Sequence, residues 1–167
     1  LFATPGMPAP IGIAFYPDFK NPTRYGIYVS QAGLGLPNRD YYLLEGAKYD
    51  GYRTAYPAYI PRMLDLAGVA DAAARAQRIF DLETRIAKIH WTPEQSRDVE
   101  KIYNPMDRAT LNAFAPQLQW DRALAKLGLA NAKQIIVAEK EAIAAEAKLF
   151  ESVPLETWKD WTAFHFI

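Results

Sequence analysis

His90 and His165 are the only imidazoles in this 167-residue chain, and there is no cysteine. Metal-assisted hydrolysis from a helix asks for His-Glu-x-x-His, because residues four apart aim two imidazoles at one ion while the glutamate polarises water. No such run occurs, and the two histidines lie far apart, each among apolar neighbours. A shared metal site would need the fold to gather them with carboxylates, so both read as structural. No Gly-x-Ser-x-Gly elbow accompanies either one, which leaves Ser-His-Asp chemistry without support. The absence of cysteine removes disulfides, thiolate ligands and thiol nucleophiles. No catalytic, cofactor-binding or metal-ligating residue is therefore assigned.

Three other groups could carry chemistry. Gly33-Leu34-Gly35 lacks the third glycine of a phosphate cradle, since Asn38 stands there and Pro37 removes a backbone donor. The run reads as a sharp turn in which Gly33 and Gly35 permit positive φ and Asn38 or Asp40 caps a following helix. Arg39 and Asp40 read as a local charge pair or cap, not as substrate contacts. Asp81 with Arg85, and Glu83 with Ala87, are placed on the solvent side of a helix. Eight phenylalanines, ten tyrosines and four tryptophans could stack on bases, but 19 basic against 19 acidic residues give no basic groove, so nucleic acid is not expected.

The elements that hold these residues follow from periodicity. Residues 11–16 and 25–31 are rich in β-branched and aromatic side chains and flank the turn-dense 17–24, which predicts a hairpin with a long loop. Tyr25, Ile27 and Val29 alternate, so one apolar face should pack on helices. Residues 50–67 carry a helical stripe that Pro57 and Pro61 should kink or split near Ala58. Gly68 ends it, and Asp71 can cap the next helix, where Ala72, Ala76, Ile79, Leu82, Ile86 and Ile89 share a face. A short element after Pro93, an extended 102–106, a helix capped by Thr110 and a helical turn at 120–127 follow. Residues 135–137 read as a short buried strand, 139–150 as a helix, and Pro154 as the first turn of the last one.

Half the residues are hydrophobic and no repeat or linker divides the chain, so residues 1–167 are read as one domain with a substantial core. The fold class expected is mainly α, a helical domain with a small antiparallel β-hairpin at about 11–31. No apolar run reaches the roughly 18 residues that span a bilayer, and the first residues lack the basic start of a signal peptide. The chain opens without methionine and closes on an aromatic helical pattern from Trp158 to Ile167 with no stop signal. It reads as a piece of a larger protein.

The run Gly33-Leu34-Gly35-Leu36-Pro37-Asn38-Arg39-Asp40-Tyr41-Tyr42 resembles the G-L-G-L-P-x-R-D-Y-Y segment of the neprilysin-like (endothelin-converting-enzyme-like) zinc metallopeptidases. The hairpin with its Asp18-x-x-x-Pro22 turn, Leu82-Glu83-Thr84-Arg85-Ile86-Ala87, the stretch from Asp98 through Tyr103-Asn104 to Met106, and Thr157-Trp158-Lys159-Asp160-Trp161 are similar to further family segments in family order. Asn112-Ala113-Phe114 resembles the family's substrate-backbone segment, but no zinc helix follows it, so Phe114 reads as core and Asn112 as a polar face residue.

The resemblance implies the non-catalytic N-terminal helical region of such an enzyme, in a bacterial member. It would cover the zinc domain and restrict substrates by size. Zinc would belong to the parent enzyme and none to this piece, whose partners would be peptide substrates and the catalytic domain of the same chain. The piece alone would be inactive, and the parent extracytoplasmic, periplasmic or secreted. The alternatives are a stand-alone helical protein-interaction module, whose gene would stop near Ile167, and an independent enzyme using His90 or His165.

Overall fold

The computed structural model describes residues 4–167. In chain order these form β1 (Ile11–Asp18), β2 (Asn21–Gln31), α1 (Asp40–Leu43), α2 (Ala47–Leu66), α3 (Ala72–Ile89), β3 (Asn104–Asp107), α4 (Arg108–Phe114), α5 (Trp120–Lys126), β4 (Gln134–Val137), α6 (Lys140–Ser152) and α7 (Leu155–Phe166). Short 3-10 turns fall at Gln95–Arg97 and Pro116–Leu118. The mainly helical class and the N-terminal hairpin are as the sequence predicts, but the expected long loop over 17–24 is not there: β1 runs to Asp18 and β2 starts at Asn21, so Phe19 and Lys20 alone make the turn. Two compact units share the chain: one holds the residues up to Gly33 and Trp91–Ser152, the other Leu34–His90 and Val153–Ile167. No helix among the described residues is long and apolar enough to cross a membrane.

In the first unit the strands lie in the order β1-β2-β4-β3. β1 and β2 pair antiparallel from Ile11 opposite Gln31 to Pro17 opposite Tyr25, β4 runs parallel to β2, and β3 closes the other edge antiparallel to β4. The unbroken apolar Ile135-Ile136-Val137 is the mark of a strand covered on both faces, and all three residues are buried. Val29, Leu111, Trp120, Leu124, Ile135, Val137 and Ile143 make the core, with Ile13, Ile27 and Phe114 packed against it. The alternating face of β2 is covered only at its inner end: Val29 is sealed, whereas Tyr25 is 75% exposed. Thr110 is not the cap of α4; the Asp107 carboxylate accepts the Thr110 N–H at 2.8 Å and takes that role.

In the second unit α2 runs unbroken through Pro57 and Pro61, so of the expected kink or split the split near Ala58 does not occur. Each interior proline costs about 3 kcal/mol. The compensation is packing: Tyr56, Ile60 and Leu64, one every fourth residue, are buried where α2 meets α3, each worth about 1.5–3 kcal/mol. Gly68 ends the helix at φ +72°, donating its N–H to Asp65 O while Val69 donates to Leu64 O. Asp71 precedes α3 in the left-handed region and makes no side-chain cap bond, so its predicted capping role is not taken up.

The buried stripe of α3 contains Ala72, Ala76, Ile79, Leu82 and Ile86 as expected, and two residues placed on the solvent face by sequence reasoning, Glu83 and Ala87. Both have no exposed surface. The stripe is wider than the i, i+3 pattern suggests because α3 meets α1, α2 and α7 together.

Candidate functional site

The buried Glu83 carboxylate organises the second unit. It is reached from the glycine-rich run, whose two glycines serve different ends. Gly33 adopts φ +92° and makes the turn. Gly35 does not have a positive φ; instead a Cβ there would lie 1.7 Å from the Tyr56 hydroxyl and 3.3 Å from Glu83 Oε1. A side chain has no room because the tyrosine fills that space. Beyond it, Asn38 Oδ1 accepts the Asp40 N–H at 2.9 Å and starts α1, turning Tyr42 inward. The Leu36 N–H then donates to the Tyr42 oxygen at 2.9 Å.

Tyr42 in turn donates to Glu83 Oε2 at 2.6 Å, and Tyr56 donates to Oε1 at 3.1 Å. From α7, His165 Nε2 lies 2.7 Å from the same Oε1, with its ring stacked on Trp161 at 4.1 Å between centroids. One carboxylate thus ties together the Leu36–Tyr42 segment, α2, α3 and α7. Burying a charge costs several kcal/mol unless donors surround it, and three do so here. Burial, and then the negative charge of Glu83, push both the Tyr42 and Tyr56 hydroxyls well above the usual phenol range. Both therefore remain neutral donors at any physiological pH.

The chemistry this arrangement can do is positional. All three donors around Glu83 come from the unit's own residues, and two of them are phenols. Zinc does not fit this donor set, and among the described residues no group of three or more His, Cys, Asp and Glu side chains could hold a metal ion. His90 is buried at the end of α3, and His165 is committed to Glu83. Arg39 and Asp40 stand at 4.0 Å; the closer contact is Arg39 Nε to the Ala87 carbonyl at 3.3 Å, which fastens the run to α3. In the middle of α7, buried Asp160 accepts from Arg75 Nη1 at 2.5 Å and from Arg78 Nε and Nη2 at 2.8 and 2.6 Å.

A parallel constellation holds the hairpin of the first unit. Asp18 is 1% exposed and its carboxylate accepts from the Tyr103 hydroxyl at 2.7 Å, the Lys20 N–H at 2.9 Å and Arg24 Nε at 2.9 Å. Foremost the tyrosine hydroxyl, then the Lys20 N–H and Arg24, outweigh burial and lower the Asp18 pKa to about 2. Asn104 Nδ2 donates to the carbonyls of Lys101, Val137 and Ala138 at 2.7, 3.0 and 3.2 Å, pinning β3 to β4. Asn112 donates to Asp121 at 2.9 Å on the surface. Glu139 accepts the Gln31 N–H at 3.1 Å, and burial, followed by the Glu139 charge, raises the Glu146 pKa.

Sequence reasoning missed Glu83 as an interior residue. The available signal was its place four residues after Ile79 and three before Ile86, inside the apolar stripe.

The model of peptidase family M13 matches residues 2–167. Endothelin-converting enzyme 1 of Cavia porcellus is 39% identical over 106 residues, which are 62% of this chain and 14% of that protein. Endothelin-converting enzyme 1 of Rattus norvegicus is 32% identical over 142 residues, 81% of this chain and 18% of that protein. Among solved structures, the zinc metalloprotease Zmp1 of Mycobacterium tuberculosis in complex with inhibitor superimposes with a TM-score of 0.87 at 30% identity, over 96% of this chain and 25% of that one. The chain thus spans a quarter or less of the length of these relatives.

Proposed function

The chain belongs to peptidase family M13, a family of zinc metallopeptidases, and from that membership we propose that it is the non-catalytic N-terminal part of a zinc metalloendopeptidase acting on oligopeptides. Its role in the parent is to cover the active-site cavity and admit substrates by size. The observation that carries this reading is the match of the family's N-terminal model to residues 2–167, supported by the likeness to Zmp1. The internal bracing supports it too. Glu83 and Asp18 use short bonds to fix loops, as suits a rigid wall more than a reacting centre.

The zinc ligands, the general base and the substrate-backbone contacts lie, on this reading, in residues of the parent outside these 167. The fragment's partners are peptide substrates and the catalytic domain of its own chain, and the parent works outside the cytoplasm, in the periplasm or secreted. The 167 residues act as one covering fragment.

The test uses the parent, reached by extending the gene on the 3′ side of the Ile167 codon. A continuation encoding His-Glu-x-x-His is expected, and its product should cleave short peptides while sparing the same sequence placed inside a folded protein. Equal cleavage of both would remove the size-selecting role. Turnover by the purified 167-residue chain with added zinc would refute its inactivity.

A further inference from the structure

We propose that the outer edge of β1 is a strand-addition site, occupied in the intact enzyme by an extended segment of the parent chain outside these 167 residues. β1 lies at the end of the strand order and pairs only with β2 among the described residues. The phase of its ladder is set by the Ala32 N–H, which donates to Pro10 O at 3.0 Å. In an antiparallel pair the residues alternate between facing the partner and facing away. Gly12, Ala14 and Tyr16 therefore face β2, while the N–H and C=O groups of Ile11, Ile13 and Phe15 point outward. The far side of β2 agrees: Val29, opposite Ile13, gives its carbonyl to the Ala138 N–H of the β4 segment at 2.8 Å.

Protein edges of this kind are usually blunted by charge, proline, a bulge or a covering element. Residues 11–16 contain no charge and no proline. Pro17, which has no N–H, and the register shift between Pro17 and Asp18 end the usable edge there. The open stretch offers room for one strand of about five residues. Its flanks are apolar on both faces: Phe15 is 56% and Tyr16 55% exposed. The edge thus specifies an uncharged, extended backbone carrying apolar or aromatic side chains. The parent chain is the source favoured here, because the similar Zmp1 chain has three quarters of its length outside the region matched. An edge satisfied within the same molecule also avoids the self-association that an open one invites.

The inference rests on the reading of this chain as part of a longer enzyme, but its test does not use activity. Amide hydrogen exchange is measured at single-residue resolution in the full-length parent. Ile13 and Phe15 should be protected to the same order as Gly12 and Ala14. In Phe15→Pro, where proline replaces an outward-facing N–H that an edge tolerates, protection at Ile13 should be lost, protection at Gly12 and Ala14 retained, and the Tm lowered. Rapid exchange of Ile13 and Phe15 beside protected Gly12 and Ala14 overturns the proposal. So does protection that grows with protein concentration, which would make the occupant a second copy, or protection that appears only on adding a peptide, which would make it substrate. If the amides are protected and peptides are not cleaved by size, the covering role fails and the edge stands.

Discussion

The Tyr56 hydroxyl lies where a Cβ on Gly35 would be, 1.7 Å from it. Gly35 is thus required by volume and not by φ. Gly35→Ala should drive the tyrosine off Glu83 and cost about 2–3 kcal/mol, the sum expected for overpacking and a lost buried hydrogen bond. Urea unfolding of the purified protein measures it. If Tyr56→Phe in the alanine background recovers none of the loss, the clash with the hydroxyl is not its origin.

Around Glu83 the substitutions should fall in a fixed order. Glu83→Ala strands two phenols and an imidazole and should cost about 3–5 kcal/mol. Glu83→Gln keeps the volume but turns one acceptor into a donor, costing about 1–3 kcal/mol. Tyr56→Phe removes one of three donors and should cost about 1 kcal/mol. A Tyr56→Phe protein as unstable as Glu83→Ala would show that the ring, not the carboxylate, holds the unit.

Asp18 predicts an acid limb of stability. Its folded pKa is lowered to about 2, below the value of about 3.9 for an unperturbed aspartate. The contribution is therefore complete above pH of about 4 and lost as pH falls through about 2. Urea midpoints of the parent sequence and Asp18→Asn should differ at neutral pH and converge in acid. A gap that stays constant down to pH of about 2 would assign the hairpin's stability elsewhere.

Asp160 is 1% exposed while the Arg75 and Arg78 side chains are 32% and 45% exposed. Asp160→Ala frees two guanidinium groups that can turn to water, so the loss should be about 1–2 kcal/mol and not the cost of a stranded buried charge. The exposed pair Lys20–Glu100, whose side chains are 47% and 78% open, should contribute less than about 1 kcal/mol. Double-mutant cycles at low and high salt compare the two, and the Lys20–Glu100 coupling should fade first.

Much of the architecture is legible in local pattern. The hairpin, the buried Ile135-Ile136-Val137 strand, the long α3 and the Gly68 stop follow from alternation, apolar runs and a glycine at the helix end. The continuity of α2 is not legible locally, because proline is penalised by its near neighbours while the burial of Tyr56, Ile60 and Leu64 that offsets it comes from α3, a separate stretch of sequence. Thr110 lost the cap to Asp107 for a subtler reason, since both types accept N-terminal N–H groups and only the backbone direction decides which one does.

By itself the sequence determined the family resemblance, the mainly helical class and the run from Gly33 to Tyr42 as its most specific segment, because turns and periodicities are properties of near neighbours. Only the tertiary structure decided why that run has its composition. Gly35 and Tyr42 of the run, Tyr56, Glu83 and His165 come from four separate segments, and the 2.6–3.1 Å bonds that converge on one buried carboxylate exist only after those segments pack. An isolated glutamate in a helix reads as a solvated charge. With three donors closing over it, Glu83 becomes the fixed point of its unit.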